Sequence, residues 1–98
     1  MQLYEVIWRD QFVEKIEGKH GISIDEVEQV LFGEPHVRRA ERGRVRGEDV
    51  YVAYGQTAAG RYVVVFFIHK RQIAALPISA RDMTASEKRY YEQQKKAR

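Results

Sequence analysis

Apolar residues at helical spacing mark a first helix near the start of the chain. Phe12 and Ile16 fall on one face of this helix, and Asp10 is its expected N-cap. The helix is predicted to end near His20, because Gly21 can adopt the left-handed conformation that often follows a helix end.

A second helix is predicted directly after the first. Ser23 and Glu26 have the spacing of a capping box, in which each side chain accepts a hydrogen bond from the backbone of the other residue. Val27, Val30 and Leu31 then form one apolar stripe. Two helices this short bury little surface by themselves, so we expect the stripe to pack on a sheet.

Four stretches have the apolar patterns of strands: residues 3–8, 50–54, 62–68 and 73–79. Residues 62–68 are continuously apolar, which is typical of a central strand covered on both faces. In the last stretch Pro77 removes one backbone donor, which predicts either a bulge or a sheet edge there.

Residues 36–46 form an arginine-rich stretch with two interpretations. If Val37 and Val45 face the core, Gly43 marks a turn between two strand pieces. An irregular loop fits the same residues.

The end of the chain predicts a strand followed by a basic helix. Arg81 lies at the expected junction, and Thr84 with Glu87 gives a second capping box that opens a helix from Ala85 onward. Residues 1–98 are therefore predicted to form a single α+β domain. Its elements are two N-terminal helices, an antiparallel sheet of three to four strands and a C-terminal helix.

The composition argues against several kinds of site. None of the 98 residues is cysteine, which excludes a disulfide, a thiol nucleophile and a cysteine-based zinc site. His20, His36 and His69 lack the spacing of metal ligands, and the chain has no glycine-rich phosphate loop. We therefore expect neither a metal nor a cofactor.

The location is predicted to be cytoplasmic. The first residues lack the pattern of a signal peptide, and no apolar run approaches the ~18 residues that span a bilayer. We therefore expect no membrane partner.

Charge is distributed unevenly along the chain. Residues 1–35 hold eight acidic and three basic residues, a net charge of −5, whereas residues 36–98 hold six acidic and fourteen basic ones, a net charge of +8. If the later part forms one face, that face suits a polyanion. The alternatives are ordinary solvated charge and a surface for an acidic partner protein.

Many cations, several tyrosines and few acid–base groups suit RNA binding and metal-free RNA cleavage. Arginine and lysine bind phosphates, and unstacked bases can lie on tyrosine or arginine planes. In cleavage the 2′-hydroxyl attacks the neighbouring phosphate, helped by a base, an acid and an arginine. Arg81 is the expected charge-stabilising group, and the alternative is that it is a solvated loop residue.

The order of these motifs resembles the BrnT family of bacterial toxins. The resemblance rests on Trp8, on Lys, His, Gly and Ile at residues 19–22, on the acidic second helix, on Ile, Ser, Ala and Arg at residues 78–81, and on residues 84–90. It implies a fold similar to RelE-type ribonuclease toxins and RNA cleavage that inhibits translation. It also implies a ribbon-helix-helix antitoxin partner similar to BrnA, so that DNA is contacted only through the antitoxin complex.

The resemblance implies catalytic roles for Arg81, His20 and Lys19, with His20 as the expected proton-transfer group. The alternative role for His20 is structural, at the end of its helix. Together with the basic and aromatic composition, the resemblance makes the following residues candidates for RNA binding: Arg61, Lys88, Arg89, Tyr90 and Tyr54.

The chain departs from the family pattern at five positions. Members often have an acid after the tryptophan and a lysine and an asparagine in the first helix, where this chain has Arg9, Phe12 and Ile16. They tend to have an arginine on the last strand, where this chain has Leu76 and Pro77. These departures indicate a divergent member. A catalytically silent relative that binds RNA or an antitoxin is the alternative.

Overall fold

The computed structural model describes residues 1–41, 43 and 47–97, which contain three helices and five strands. In chain order the elements are β1 (Glu5–Val6), α1 (Asp10–His20), α2 (Ile24–Phe32), β2 (His36–Glu41), β3 (Val50–Gln56), β4 (Tyr62–Lys70), β5 (Ala74–Asp82) and α3 (Ala85–Lys96). The predicted α+β class is confirmed. No helix in the described ranges is both long and apolar enough to cross a membrane.

The described strands form one mixed sheet in the order β1-β5-β4-β3-β2. Strands β2 to β5 are antiparallel neighbours, whereas β1 pairs in parallel with β5, with Glu5 opposite Ala74. The prediction of an antiparallel sheet of three to four strands is therefore wrong in the strand count and at the β1 edge. Of the strand predicted at residues 3–8, only the two residues of β1 join the sheet. Their partner strand lies far along the chain, so no local signal shows that the pairing is parallel.

Strand β4 is the central strand, as its apolar run predicted. Val63, Val64, Val65 and Phe67 are all 0% exposed, because alternate side chains are covered on opposite faces of the sheet. Val63, Val65 and Phe67 pack with α1 and α2, and we call their side the two-helix face. Val64 packs with α3, and we call its side the α3 face.

Both predicted capping boxes are present. Ser23 and Glu26 exchange hydrogen bonds at the start of α2, and Thr84 and Glu87 do the same at the start of α3. Gly21 has a φ of 64°, so the predicted left-handed end of α1 is also confirmed.

The prediction that Asp10 is the N-cap of α1 is wrong. Arg9 occupies that position with an extended backbone, and its side chain makes no capping hydrogen bond. Asp10 is the first helical residue, where a carboxylate interacts favourably with the positive end of the helix dipole.

The predicted bulge at Pro77 is confirmed in β5. Phe66 pairs with Ser79 and Phe67 pairs with Pro77, so Ile78 is the extra residue on the β5 side. The missing backbone donor of proline falls at this irregularity.

Strand β5 continues to Asp82, beyond its predicted end at Ser79. Arg81 pairs with Val64 and Asp82 pairs with Val63, which extends the ladder with β4. Arg81 is the second-last residue of β5, and α3 begins at Ala85, so the predicted position of Arg81 where the strand gives way to the helix is confirmed. Because Arg81 still belongs to the strand, the alternation of the sheet fixes its side-chain direction.

Strand β2 occupies the first part of the arginine-rich stretch. Val37 packs against the core on the two-helix face, as the strand interpretation of this stretch required. The second strand piece of that interpretation, after Gly43 and with Val45 toward the core, falls on residues 44–46, outside the described residues.

Candidate functional site

The sheet register places polar side chains from three strands in one row on the α3 face. His36 of β2 pairs with Tyr54 of β3. Tyr54 and Arg81 both pair with Val64 of β4, which lies between them. Arg38 lies two residues after His36 and shares its face, because side chains alternate along a strand.

Helix α3 adds two polar side chains to this row, Glu87 and Tyr90. We call the resulting group the α3-face cluster, and its members are His36, Arg38, Tyr54, Arg81, Glu87 and Tyr90.

Aromatic contacts hold one half of the cluster together. The His36 Nε2 atom and the Tyr90 hydroxyl are 2.8 Å apart, a hydrogen bond whose donor depends on the tautomer of His36. The ring centroids of Tyr54 and Tyr90 are 5.1 Å apart in an edge-to-face arrangement. Because Tyr54 is only 4% exposed, it forms a buried support for the other two rings.

Arg38 lies over this aromatic group. Its Cζ atom is 5.5 Å from the ring centroid of Tyr90 and 5.9 Å from that of Tyr54, within the range of cation–π attraction. A hydrogen bond with Tyr54 is the largest cause that raises the pKa of Arg38, and the negative charge of Glu87 raises it by a smaller amount. The Arg38 side chain is thus charged, exposed and held in place.

Arg81 and Glu87 form the other half of the cluster. Two parallel hydrogen bonds, 2.7 Å and 2.9 Å long, join the guanidinium to the carboxylate. Hydrogen bonding from Arg81 lowers the pKa of Glu87 from 4.5 to about 2, although burial opposes this shift. The same hydrogen bond raises the pKa of Arg81. At neutral pH both groups are charged.

The Arg81 guanidinium also lies 5.6 Å from the ring centroid of Phe66 and donates to the backbone oxygen of Asp82. Its Nε–H and one N–H of Nη2 have no partner among the described residues. These two donors can therefore bind an anion while Glu87 holds the group in position.

The arrangement combines two fixed cations with a hydrogen-bonded histidine and tyrosine. Two guanidinium groups on one face can bind a phosphate, and a histidine can exchange a proton near neutral pH. Among the described residues, no group of three or more histidine, cysteine or acidic side chains could hold a metal ion.

The structure does not bring the three predicted catalytic residues together. Arg81 faces α3, and the next residue, Asp82, points to the opposite face of the sheet. Hydrogen bonding from Arg61 is the largest cause that lowers the pKa of Asp82, and the charge of His20 is a smaller one. His20 and Lys19 are the last residues of α1 on the two-helix face. The sheet therefore lies between Arg81 and the other two residues.

Arg61, a predicted RNA-binding residue, has its guanidinium bonded within the protein. It donates to Asp82 Oδ1 at 2.7 Å, to the Gly21 carbonyl at 3.1 Å and to Glu26 Oε1 at 3.2 Å. The hydrogen bond to Asp82 is the largest cause that raises the pKa of Arg61. Arg61 thus links the start of β4 to the end of β5 and to the α1–α2 connection.

The other predicted RNA-binding residues lie on α3 or beneath it. Tyr54 and Tyr90 belong to the α3-face cluster, and Arg89 is exposed. Lys88 is also exposed, with its Nζ atom 5.5 Å from the ring centroid of Tyr62. Their contact with RNA stays a prediction.

Three members of the cluster were missed as site residues from sequence: His36, Arg38 and Glu87. A strand interpretation of the arginine-rich stretch would have placed His36 and Arg38 on one face, but an irregular loop was an equal alternative. Glu87 was recognised only as a capping residue, and its second role depends on where β5 ends.

Four of the five positions that depart from the family pattern lie wholly or partly in the interior. Ile16 is 1% exposed and Leu76 is 6% exposed, while Pro77 is fully buried at the bulge and Phe12 is partly buried. Arg9 is exposed. None of the five belongs to the α3-face cluster.

Comparison with known proteins identifies a matching family model and a similar solved structure. A family model described as the ribonuclease toxin, BrnT, of type II toxin-antitoxin system matches residues 8–87. The crystal structure of the Brucella abortus ribonuclease toxin, BrnT, has a TM-score of 0.64 and 21% sequence identity, and the match covers 82% of this chain and 96% of that chain. At this identity the structural match shows a shared fold. No curated protein matches the chain.

Proposed function

The chain belongs to the BrnT family of ribonuclease toxins of type II toxin-antitoxin systems, and from this premise we propose that it is a metal-independent endoribonuclease that inhibits translation by cleaving RNA. The α3-face cluster is the proposed catalytic site. The observation that carries this assignment is that Arg38, Arg81 and the hydrogen-bonded pair of His36 and Tyr90 meet on one face of the sheet.

Arg38 and Arg81 bind the scissile phosphate. Negative charge on the phosphate oxygens increases as phosphorus gains a fifth oxygen in the transition state, so fixed cations stabilise that state more than the ground state. Glu87 orients Arg81 by its two hydrogen bonds. With a pKa of about 2, Glu87 is too weak a base to take the proton of a hydroxyl group.

Proton transfer is assigned to His36 and Tyr90. His36 takes the proton of the 2′-hydroxyl while the 2′ oxygen forms a bond to phosphorus and the bond from phosphorus to the 5′ oxygen breaks. The leaving 5′ oxygen takes a proton from the hydrogen-bonded pair. The products are a 2′,3′-cyclic phosphate and a 5′-hydroxyl, and both reacting oxygens come from the RNA.

A toxin of a type II system acts with an antitoxin, and the proposed partner is a BrnA-like ribbon-helix-helix protein. RNA is the proposed direct ligand, and DNA is contacted only through the antitoxin complex. The proposed location is the cytoplasm, where RNA and an antitoxin are both accessible.

The proposal is tested by incubating the purified protein with labelled RNA in the presence of a chelator. We expect fragments with cyclic phosphate ends. Arg81→Ala and Arg38→Ala should each lower the cleavage rate by about 10²–10³-fold, the usual cost of losing one donor to a developing charge. Arg39→Ala is the matched control, because Arg39 neighbours Arg38 on β2 but pairs with Tyr51 on the two-helix face.

Intact RNA at high protein concentration would contradict the nuclease assignment. If such a protein still binds RNA with a steep salt dependence, it is the catalytically silent relative. An equal loss in the Arg39→Ala variant would contradict the location of the site. A cell-free translation reaction, in which the parent protein inhibits synthesis and Arg81→Ala does not, tests the effect on translation.

A further inference from the structure

Helix α3 covers only part of the α3 face. Along β4, Val64, Phe66, Ile68 and Lys70 all point to this face, and Val64 beneath the helix is 0% exposed. Phe66, Ile68 and Lys70 are partly exposed. An apolar floor therefore runs from the α3-face cluster toward the end of β4.

A second positively charged region lies at the far end of this floor. It is a depression of about 550 Å³ lined by Glu5, Val6, Ile7, Arg9, Lys70, Arg71 and Leu76. We call it the β1-edge pocket. It has three cations and one carboxylate, and Leu76 pairs with Ile68, so the pocket is continuous with the apolar floor.

Two of the three cations of the β1-edge pocket, Lys70 and Arg9, are available to a ligand. The third, Arg71, forms an ion pair with Glu5 at 2.6 Å. Lys70 is 3.6 Å from Glu48 in a partly exposed pair, which a phosphate can replace at little cost. The side chain of Arg9 is exposed and has no hydrogen bond or ion pair to any described residue.

We propose that the β1-edge pocket binds a second phosphate of the RNA strand whose scissile phosphate lies at the α3-face cluster. This inference rests on the proposed function and adds the substrate class, which is single-stranded RNA held at two points. Val64 and Lys70 are six residues apart on one strand, a distance of about 20 Å at the usual rise per residue. The two points are therefore far enough apart to require several nucleotides.

The surface between the two points favours a single strand over a duplex and over a protein. Phe66 and Ile68 offer an apolar and aromatic floor on which unpaired bases can rest, whereas a duplex keeps its bases stacked inside. Cations at both ends match the phosphates on either side of such bases. The expected ligand is therefore a single RNA strand, with its phosphates bound at the two ends of the apolar floor and its unpaired bases resting on the floor between them.

The test measures binding, so that it does not depend on cleavage. A fluorescent RNA decamer with 2′-O-methyl groups cannot be cleaved, and its affinity is measured by anisotropy at several salt concentrations. Arg9→Ala and Lys70→Ala should each weaken decamer binding and reduce the slope of log affinity against log salt by about 0.7, the value for one phosphate on a single strand. A dinucleotide, which has one bridging phosphate, should compete equally well for the parent and the variants.

Lys15→Ala is the control, because Lys15 is an exposed cation on α1. Arg9 makes no capping hydrogen bond, so its replacement removes no helix cap. Unchanged slopes in both pocket variants, or an equal change in the Lys15→Ala variant, would overturn the inference. It would also be overturned if a duplex bound more tightly than the single strand, or if the pocket variants bound RNA normally and lost only their binding to the antitoxin.

The failure of this inference differs from the failure of the proposed function. A protein that cleaves RNA while both pocket variants bind the decamer normally has the proposed site without the second contact. A protein that neither cleaves RNA nor binds the decamer contradicts the proposed function itself.

Discussion

Arg81 of β5 and Glu87 of α3 are joined by two hydrogen bonds, 2.7 Å and 2.9 Å long. The same carboxylate accepts a hydrogen bond from the backbone N–H of Thr84 and so caps α3. One side chain therefore fixes both the start of the last helix and the direction of the arginine. The position of Arg81 depends on the integrity of α3.

This double role predicts that acid destabilises the fold of the parent protein more than that of the Glu87→Gln variant. The pKa of Glu87 is about 2 in the folded protein, below its ordinary 4.5, so its contribution to stability is present above pH 4.5 and is lost as the pH falls toward 2. The Arg81 side chain is 34% exposed, so solvent screening weakens the pair. Over this pH range we expect the free energy of unfolding of the parent protein to fall by about 2 kcal/mol more than that of the Glu87→Gln variant. Urea denaturation at a series of pH values measures it.

Glu14→Gln is the control for that experiment, since Glu14 is an exposed residue of α1. Its pH dependence should run parallel to that of the parent protein. A Glu87→Gln curve that also runs parallel to the parent would show that the pair with Arg81 contributes nothing.

Replacing His20 and His36 one at a time distinguishes the catalytic site predicted from the sequence from the one proposed at the α3-face cluster. His36→Ala should lower kcat by about 10²–10⁴-fold, the usual contribution of a proton-transfer group. His20→Ala should leave kcat nearly unchanged, because His20 lies across the sheet from Arg81. The rates are measured for all variants as a function of pH. In the Tyr90→Phe variant the pH profile of kcat/KM should shift, because that change removes the hydrogen bond to His36. A larger loss in His20→Ala than in His36→Ala would restore the first assignment.

Arg61→Ala should lower stability and leave RNA affinity nearly unchanged. Its guanidinium joins Asp82, Glu26 and the Gly21 carbonyl, so its loss leaves three acceptors without this donor. We expect the free energy of unfolding to fall by about 1.5–3 kcal/mol, the usual range for hydrogen bonds to charged groups. Thermal unfolding and RNA anisotropy on the same preparation measure both quantities. A large loss of affinity with unchanged stability would support the prediction that Arg61 binds RNA.

Gly55→Ala tests the close approach of α2 to β3. A Cβ atom at Gly55 would lie 2.8 Å from Cγ1 of Val30, which is 1% exposed and has little room to move. We expect the free energy of unfolding to fall by about 1–3 kcal/mol from overpacking. The double variant Val30→Ala with Gly55→Ala should lose less than the sum of the two single changes, because the shortened side chain makes room. Additive losses would contradict this explanation.

Local patterns predicted the helices and the central strand because each pattern acts within a few residues. Ser23 with Glu26, and Thr84 with Glu87, are capping boxes, and the two residues of each box lie only three positions apart. The apolar run of β4 requires cover on both sides, whatever surrounds it.

The candidate site was harder to predict because its contacts are distant in sequence. His36 and Tyr90 form a hydrogen bond although they are 54 positions apart in the chain. Their contact depends on the register of β2 against β3, which places His36 opposite Tyr54. Arg81 was found by its motif. Its direction could not be predicted, because the end of β5 is set by pairing with Val63 and Val64.

The sequence separation of 54 between His36 and Tyr90 also sets an order during synthesis on the ribosome. Strands β2, β3 and β4 can pair as soon as they emerge, but Arg81, Glu87 and Tyr90 arrive only with the end of β5 and with α3. An interrupted chain that lacks α3 lacks Glu87 and Tyr90, so it cannot complete the α3-face cluster. The proposed cleavage site is therefore complete only once α3 has been made, and a chain that ends before α3 should not cleave RNA.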